Sequence, residues 1–353
     1  MMEFKPIWSD SMGAKSLCTF VETPDIKILI DPGAAIMQPS FPASIAKKMH
    51  WLRKAKLAIK RASKKVELII ISHYHYDHFT DFDKDLYKEK KLFMKNPNEY
   101  INYSQRKRSE DFLQNICKSF GEVDLRDLLI ERKFKGYESP GEELPVAMSR
   151  DFGSYNERRK ELLDKGGSWF RKLAKHWNEI PEVPELKFDE IEIRYPEGKE
   201  FEFGETRLKF TGPLFHGIEY ARVGWIFSTI IEYKGKKLIY SSDMNGPIIE
   251  DYREWIIRED PRVLILDGPA TYLVPYMLNL VNSRRAIDNI IGIIKRTSTD
   301  LIILDHHLLR DYRYRETLKE VYRIAKRKNK EVLTAAEYLG KTPVLDLLDC
   351  GCS

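Results

Sequence analysis

The chain has 353 residues, 42% of them apolar, and a formal net charge of +5 at neutral pH. That size and balance fit one large α/β domain, or a domain carrying a sizeable insertion, and no apolar run approaches the length of a membrane span. The opening Met1-Met2-Glu3-Phe4-Lys5-Pro6 has no signal-peptide character, and Cys18, Cys117, Cys350 and Cys352 are too few and scattered for a disulfide framework, so a soluble cytoplasmic protein is expected.

In chain order, residues 16–23 and 26–31 read as strands, the second ending in Asp31-Pro32-Gly33. A basic helix is expected over 42–63. Residues 66–72 follow as a near-continuous aliphatic run, which suits a strand covered on both faces. Residues 95–198 are dense in charge and poor in strand patterns; 99–120 and 155–177 read as helices, and the stretch is expected to be a helical insertion acting as lid, substrate wall or dimer contact. Strands resume near 191, with 207–211, a hairpin of 224–233 and 236–241, then 262–267. A helix over 281–296 precedes the strand ending at Asp305, and one more helix and a short strand near Val332 finish the chain. This alternation predicts a single α/β domain over 1–353, with two sheets face to face and helices outside. The Cys350-Gly351-Cys352 tail reads as two thiols on a frayed end, with metal binding or redox response as the alternative.

Six of the eight histidines fall in three clusters: His73-Tyr74-His75-Tyr76-Asp77-His78 after the aliphatic run, His216 in Phe215-His216-Gly217, and His306-His307 after Leu304-Asp305. Imidazole and carboxylate at the ends of buried strands are donors suited to transition metals. Alternating residues of an extended loop point the same way, so His73 and His75 can converge on one ion while Asp77 and His78 turn to a neighbouring position. His216, Asp243 and His306 can complete the shell, and a carboxylate such as Asp243 can bridge two cations.

The His-x-His-x-Asp-His hexapeptide after an aliphatic strand resembles the hallmark of the metallo-β-lactamase superfamily. Asp31 resembles its first motif, His216 its third, Asp243 in Ser242-Asp243 its bridging aspartate and His306 its final histidine. The resemblance covers about residues 10–90 and 200–330, and more narrowly points to a mainly archaeal family of predicted metal-dependent hydrolases. It implies an αββα four-layer sandwich and two divalent metal ions, Zn2+ first, with Mn2+ or Fe2+ fitting the same donors. It assigns His73, His75 and His216 to one metal, Asp77, His78 and His306 to the other, and Asp243 between them. His307 is the alternative to His306, or else a proton carrier; Asp31 and Asp267 are expected to support the ligands rather than to bind metal.

The nucleophile would then be a hydroxide shared by the metals, oriented by Asp77 and Asp243. Tyr76, Tyr272, Arg222 and His307 are candidate substrate-polarising groups. Gly13-Ala14-Lys15-Ser16 ends like a phosphate-binding loop but lacks the upstream glycine and strand. Three functions follow: hydrolysis of a small molecule, phosphodiester cleavage on RNA or nucleotides, and a non-catalytic metal-stabilised binding protein. The nucleic-acid reading draws on nine basic and no acidic residues over 47–65 and nine basic against three acidic over 310–330. No membrane partner is expected, and a homo-oligomer is open.

Overall fold

The computed structural model describes residues 1–349; the Cys350 and Cys352 tail lies outside the described residues. The first sheet takes β1 (Glu3–Ser9), β2 (Leu17–Glu22), β3 (Lys27–Ile30), β4 (Leu68–Ile71) and β5 (Lys90–Met94) side by side, then β7 (Ile191–Arg194) and the edge strand β6 (Lys187–Phe188). Strands β1 to β3 are antiparallel neighbours, whereas β3, β4, β5 and β7 run parallel. The chain then enters β8 (Glu200–Phe203) and β9 (Thr206–Phe210), makes a two-stranded ribbon of β10 (Leu214–Phe215) and β11 (Trp225–Ile226), and continues through β12 (Thr229–Tyr233), β13 (Lys236–Tyr240), β14 (Val263–Asp267), β15 (Leu301–Asp305) and β16 (Glu331–Leu333). The second sheet has the order β16-β15-β14-β13-β12-β9-β8.

Residue alternation sets the layers. Leu68 and Ile70 of β4 enter the core between the sheets with Leu208, Ile231, Leu238, Ile265 and Ile303. Ile69 and Ile71 point the other way, against Ala55 and Ile59 of α1 (Ile45–Ser63), and against Phe112 and Leu113 further along the chain. That double covering explains the uninterrupted aliphatic run, and each such side chain contributes about 1.5–3 kcal/mol of burial. On the outer face of the second sheet, Ile239, Leu264 and Ile302 meet a second set of helices. The result is the expected αββα sandwich.

The remaining α-helices are α2 (Lys84–Tyr87), α3 (Tyr103–Ile116), α4 (Pro145–Ser149), α5 (Asn156–Glu179), α6 (Glu250–Glu259), α7 (Leu280–Arg296), α8 (Tyr314–Thr317), α9 (Lys319–Arg327), α10 (Ala335–Tyr338) and α11 (Val344–Asp349). Helices α3 to α5 belong to the excursion between β5 and β6, which ends sooner than 198 because β6 and β7 return to the first sheet. Phe170, Leu173 and Trp177 of α5 pack with Phe215 and Trp225 of the ribbon, and Trp169 stacks on Trp225 at 5.3 Å between ring centroids. A buried ion network adds to this contact. Glu219 accepts from Arg159 of α5 (2.9 Å) and from Arg285 of α7 (2.7 Å), while Arg285 also reaches Glu250 (2.7 Å).

Several elements depart from the sequence reading, with β5, β6, β8 and β10 among the strands that were not expected. The first sheet begins with β1, which was not expected, and the strand anticipated over 224–233 is split at Phe227-Ser228 into β11 and β12. Among the described residues no helix is long and apolar enough to cross a membrane.

Candidate metal centre

The chemistry-bearing residues sit where strands end. Asp31 follows β3, Ser72 and His73 follow β4, Ser242 and Asp243 follow β13, Asp267 closes β14, His306 follows β15, and His216 follows β10 at the turn of the ribbon. Three of these exits turn sharply: Asp31, Ser242 and His306 adopt φ of 48°, 54° and 62°, in the left-handed region that non-glycine residues seldom occupy. Such conformations persist where the surrounding structure fixes them, and they aim these side chains inward.

Asp243 is the centre of the arrangement. Its Oδ2 lies 2.8 Å from His216 Nε2 and 3.4 Å from His73 Nε2, and His75 Nδ1 is 3.1 Å from the same His73 atom. Its Oδ1 lies 3.0 Å from His78 Nε2 and 3.4 Å from His306 Nε2. Asp77 Oδ2 completes the second group at 3.8 Å from His306 Nε2. Hence His73, His75, His216 and Asp243 form one cluster able to hold an ion, and Asp77, His78 and His306 form another. All but His75 and Asp77, which are half-buried, are buried.

Carboxylates behind the rings decide which nitrogens face inward. His78 Nδ1–H donates to Asp31 Oδ2 (2.8 Å), and His306 Nδ1–H donates to Asp10 Oδ1 (2.8 Å). A carboxylate accepts only, so each neutral ring presents an Nε2 lone pair to the interior. Those two Nε2 atoms are 3.2 Å apart, and Asp243 Oδ1 beside them has no hydrogen-bond donor. Lone pairs and a carboxylate oxygen that converge without a donor repel one another unless positive charge lies among them. The donor set, imidazole nitrogen with carboxylate oxygen, is the one that borderline transition metals take. The residues therefore fit a divalent metal.

Without a metal, the electrostatics draw that positive charge onto the rings themselves, as protons on His306 and His78 that a bound metal ion would displace. Burial disfavours charge on His306, yet Asp10 and Asp243 outweigh it and push its pKa up to about 10. His78 rises for the same reason, with Asp243 and Asp31 overcoming burial. His73 goes the other way, down to about 4, through burial and the neighbouring His78 charge. Asp243 stays ionised far below the usual carboxylate range, because His78, His306 and His73 outweigh its burial.

Asp31 is filled by donors: Ser72 N (2.7 Å) on Oδ1, and Ser72 Oγ (2.6 Å), Tyr240 OH (2.8 Å) and His78 on Oδ2. His307 lies next to the centre, but its Nδ1 is 2.8 Å from Asp267 Oδ1, and Asp267 Oδ2 accepts from Asn245. Tyr272 is parallel to the His307 ring at 6.5 Å. Tyr76 instead stacks on Phe79 beneath Arg108, and the Arg222 side chain is exposed.

Four residues were missed by sequence reasoning. Asp10 and Arg310 act together: Arg310 Nε donates to Asp10 Oδ2 (2.7 Å) and Nη2 lies 3.2 Å from Asp77 Oδ2. Gln105 of α3 accepts from Tyr74 N (3.1 Å), and its Nε2 donates to Val223 O (2.7 Å) and lies 3.4 Å from His75 Nε2. Glu219, on the loop just after His216, anchors that loop to α5 and α7. The His306-to-Arg310 spacing, one turn of a short helix, is the only one of these with a local signal.

Residues 13–84, which include Asp31 and the hexapeptide, match the family model for the metallo-beta-lactamase superfamily. The chain is 30% identical over 354 residues to UPF0282 protein MK0213 of Methanopyrus kandleri, covering 96% of this chain and 94% of that one. It belongs to the UPF0282 family. A second UPF0282 protein, MJ1629 of Methanocaldococcus jannaschii, is 30% identical over 358 residues, covering 98% and 94% of the two chains. Among solved structures, human tRNase Z, short form, aligns with 87% of this UPF0282 chain and 92% of its own at 12% identity and a TM-score of 0.35.

Proposed function

We propose that this protein is a metal-dependent hydrolase with a dinuclear centre. In this reading His73, His75 and His216 would hold one divalent ion and Asp77, His78 and His306 the other, with Asp243 shared between them. The single observation that carries it is the division of Asp243: each oxygen faces its own group of ring nitrogens. Zinc suits the donors best, with manganese and iron as the other candidates.

A pair of divalent ions bound there would supply an activated hydroxide and polarise a substrate oxygen. The chain's own residues do the rest. Asp31 and Asp10 hold the His78 and His306 rings by Nδ1, so Nε2 points inward without rotating. Asp77 and Asp243 place carboxylate oxygens where an attacking water's proton can be held. Burial of His73, His78, His306 and Asp243 keeps bulk water from the interior face, which strengthens every charge interaction there. The helical excursion serves as a fixed wall, since Arg159 and the Trp169–Trp225 stack join it to the His216 loop.

The substrate on this reading is a small ester, thioester, lactone, amide or phosphoester. The test is hydrolysis of bis(p-nitrophenyl) phosphate and p-nitrophenyl acetate by protein supplemented with manganese or zinc, beside Asp243→Ala. Turnover of either by the wild type and loss of it in a folded Asp243→Ala supports the reading. Equal turnover by both proteins removes the dinuclear mechanism.

A further inference from the structure

Two cationic side chains, Arg310 and Lys15, sit at the Asp77 edge of the centre. Arg310 is buried there, although a cation is costly beside a site built to attract cations. Its Nε is taken by Asp10 and its Nη2 faces Asp77. Nη1 carries two hydrogens and has the Tyr272 hydroxyl, 3.4 Å away, as its partner among the described residues. The guanidinium also lies 5.8 Å from the Tyr272 ring centroid.

Lys15 faces the same place. It is half-buried on the turn that follows Asp10, and its neighbour Ser16 is fixed at the centre, with its N–H donating to Asp10 Oδ1 (2.9 Å) and its carbonyl oxygen 3.2 Å from His306 Nδ1; Arg310, Asp77 and Asp10 are the charges that act on the Lys15 ammonium. No hydrogen bond or ion pair joins that ammonium to any described residue. The nearby carboxylates are already in use. Asp10 accepts from Ser16 N, His306 and Arg310, and Asp77 is committed to a metal in the reading above. The Lys15 ammonium and the Nη1 end of Arg310 are left without a carboxylate of their own, and a half-buried ammonium without a partner is unfavourable unless a ligand supplies one.

We infer that Lys15, Arg310 and the Tyr272 hydroxyl form a subsite for an oxyanion of the substrate, a phosphoryl or carboxylate group, on the Asp77 side of the centre. This rests on the hydrolase reading and narrows its substrate class to anions. Arg310 is pre-set by Asp10, so its planar group meets the anion with little loss of side-chain freedom, and Lys15 adds a mobile point charge. Neutral esters and amides would lack the group these residues recognise.

The test uses inorganic phosphate and acetate as probes, titrated calorimetrically into the purified protein while its metal content is measured in parallel. Wild type, Lys15→Met and Lys15→Arg are compared. Lys15→Met should weaken binding of the recognised probe about tenfold with metal content unchanged, and Lys15→Arg should restore it to within about threefold, as expected when a charge-assisted contact is lost and replaced. A loss for phosphate assigns a phosphoryl substrate, and a loss for acetate assigns a carboxylate. Equal affinities in wild type and Lys15→Met, or no binding of either probe to wild type, overturn the inference. Failure of the hydrolase reading appears separately, as absence of metal from the wild type.

Discussion

Asp10 Oδ1 lies 2.8 Å from His306 Nδ1, across 296 residues of sequence. The same carboxylate receives Arg310 through its other oxygen, so one residue at the end of β1 sets both the ring orientation of a candidate ligand and the place of a buried cation. Asp31 does the equivalent for His78 from the end of β3. Removing such a support costs metal affinity, and at Asp10 it costs stability as well, because buried Arg310 loses its partner. Asp10→Ala should lower affinity at the second metal position by about 10–100-fold, measured by competition with a chromophoric chelator. Unchanged affinity would mean that Asp10 does not orient His306.

His306 and His307 are adjacent but differently engaged. His306 turns Nε2 to Asp243, while His307 gives Nδ1 to Asp267. His306→Ala should therefore lose one metal per chain, whereas His307→Ala should keep the full complement and lose turnover. Metal analysis of the two variants checks this, and the reverse pattern would exchange their roles.

Glu219 should make the contact between the helical excursion and the sandwich dependent on pH. Burial raises its pKa, but Arg285 and Arg159 outweigh that and hold it below the ordinary value of 4.5. A carboxyl lowered on folding contributes stability that is present above its unfolded pKa and lost as pH falls through the folded one. The Trp169–Trp225 stack should thus loosen on acidification below about pH 4.5. Intrinsic tryptophan fluorescence reports it. Glu219→Gln should show a flatter profile in that range, and a wild-type profile identical to the variant's would show that this carboxylate does not hold the wall.

Gly33 closes the turn that brings Asp31 to His78. A Cβ at this position would collide with the backbone of His78 and Phe79, which cannot move without moving the hexapeptide. Gly33→Ala should cost about 1–3 kcal/mol in denaturant unfolding, the usual range for overpacking. A loss below about 0.5 kcal/mol, within the scatter of surface substitutions, would show that the loop yields.

Much of the centre was legible because its candidate ligands lie at strand ends. His73 to His78 sit together after an aliphatic run, and His216, Asp243 and His306 each follow an apolar segment, so strand pattern marked the places and the family resemblance singled out the residues. Asp10 and Arg310 were hidden because their roles exist only through tertiary contact. Strand β1 was hidden too: Pro6 interrupts it and a bulge falls between Pro6 and Trp8. Both are tolerated because β1 is an edge strand, where a missing N–H breaks no ladder bond on the open side. Breaks such as the one between β11 and β12 carry no composition signal, since Phe227 is buried like its neighbours.

The central claim is that Asp243 joins two metal positions. The direct measurement is the metal-to-protein ratio by plasma mass spectrometry after zinc or manganese loading and dialysis, for wild type and Asp243→Ala. The account predicts two divalent ions per wild-type chain, and at most one in a folded Asp243→Ala. A wild type that retains one ion or none, or an Asp243→Ala that retains two, would contradict it.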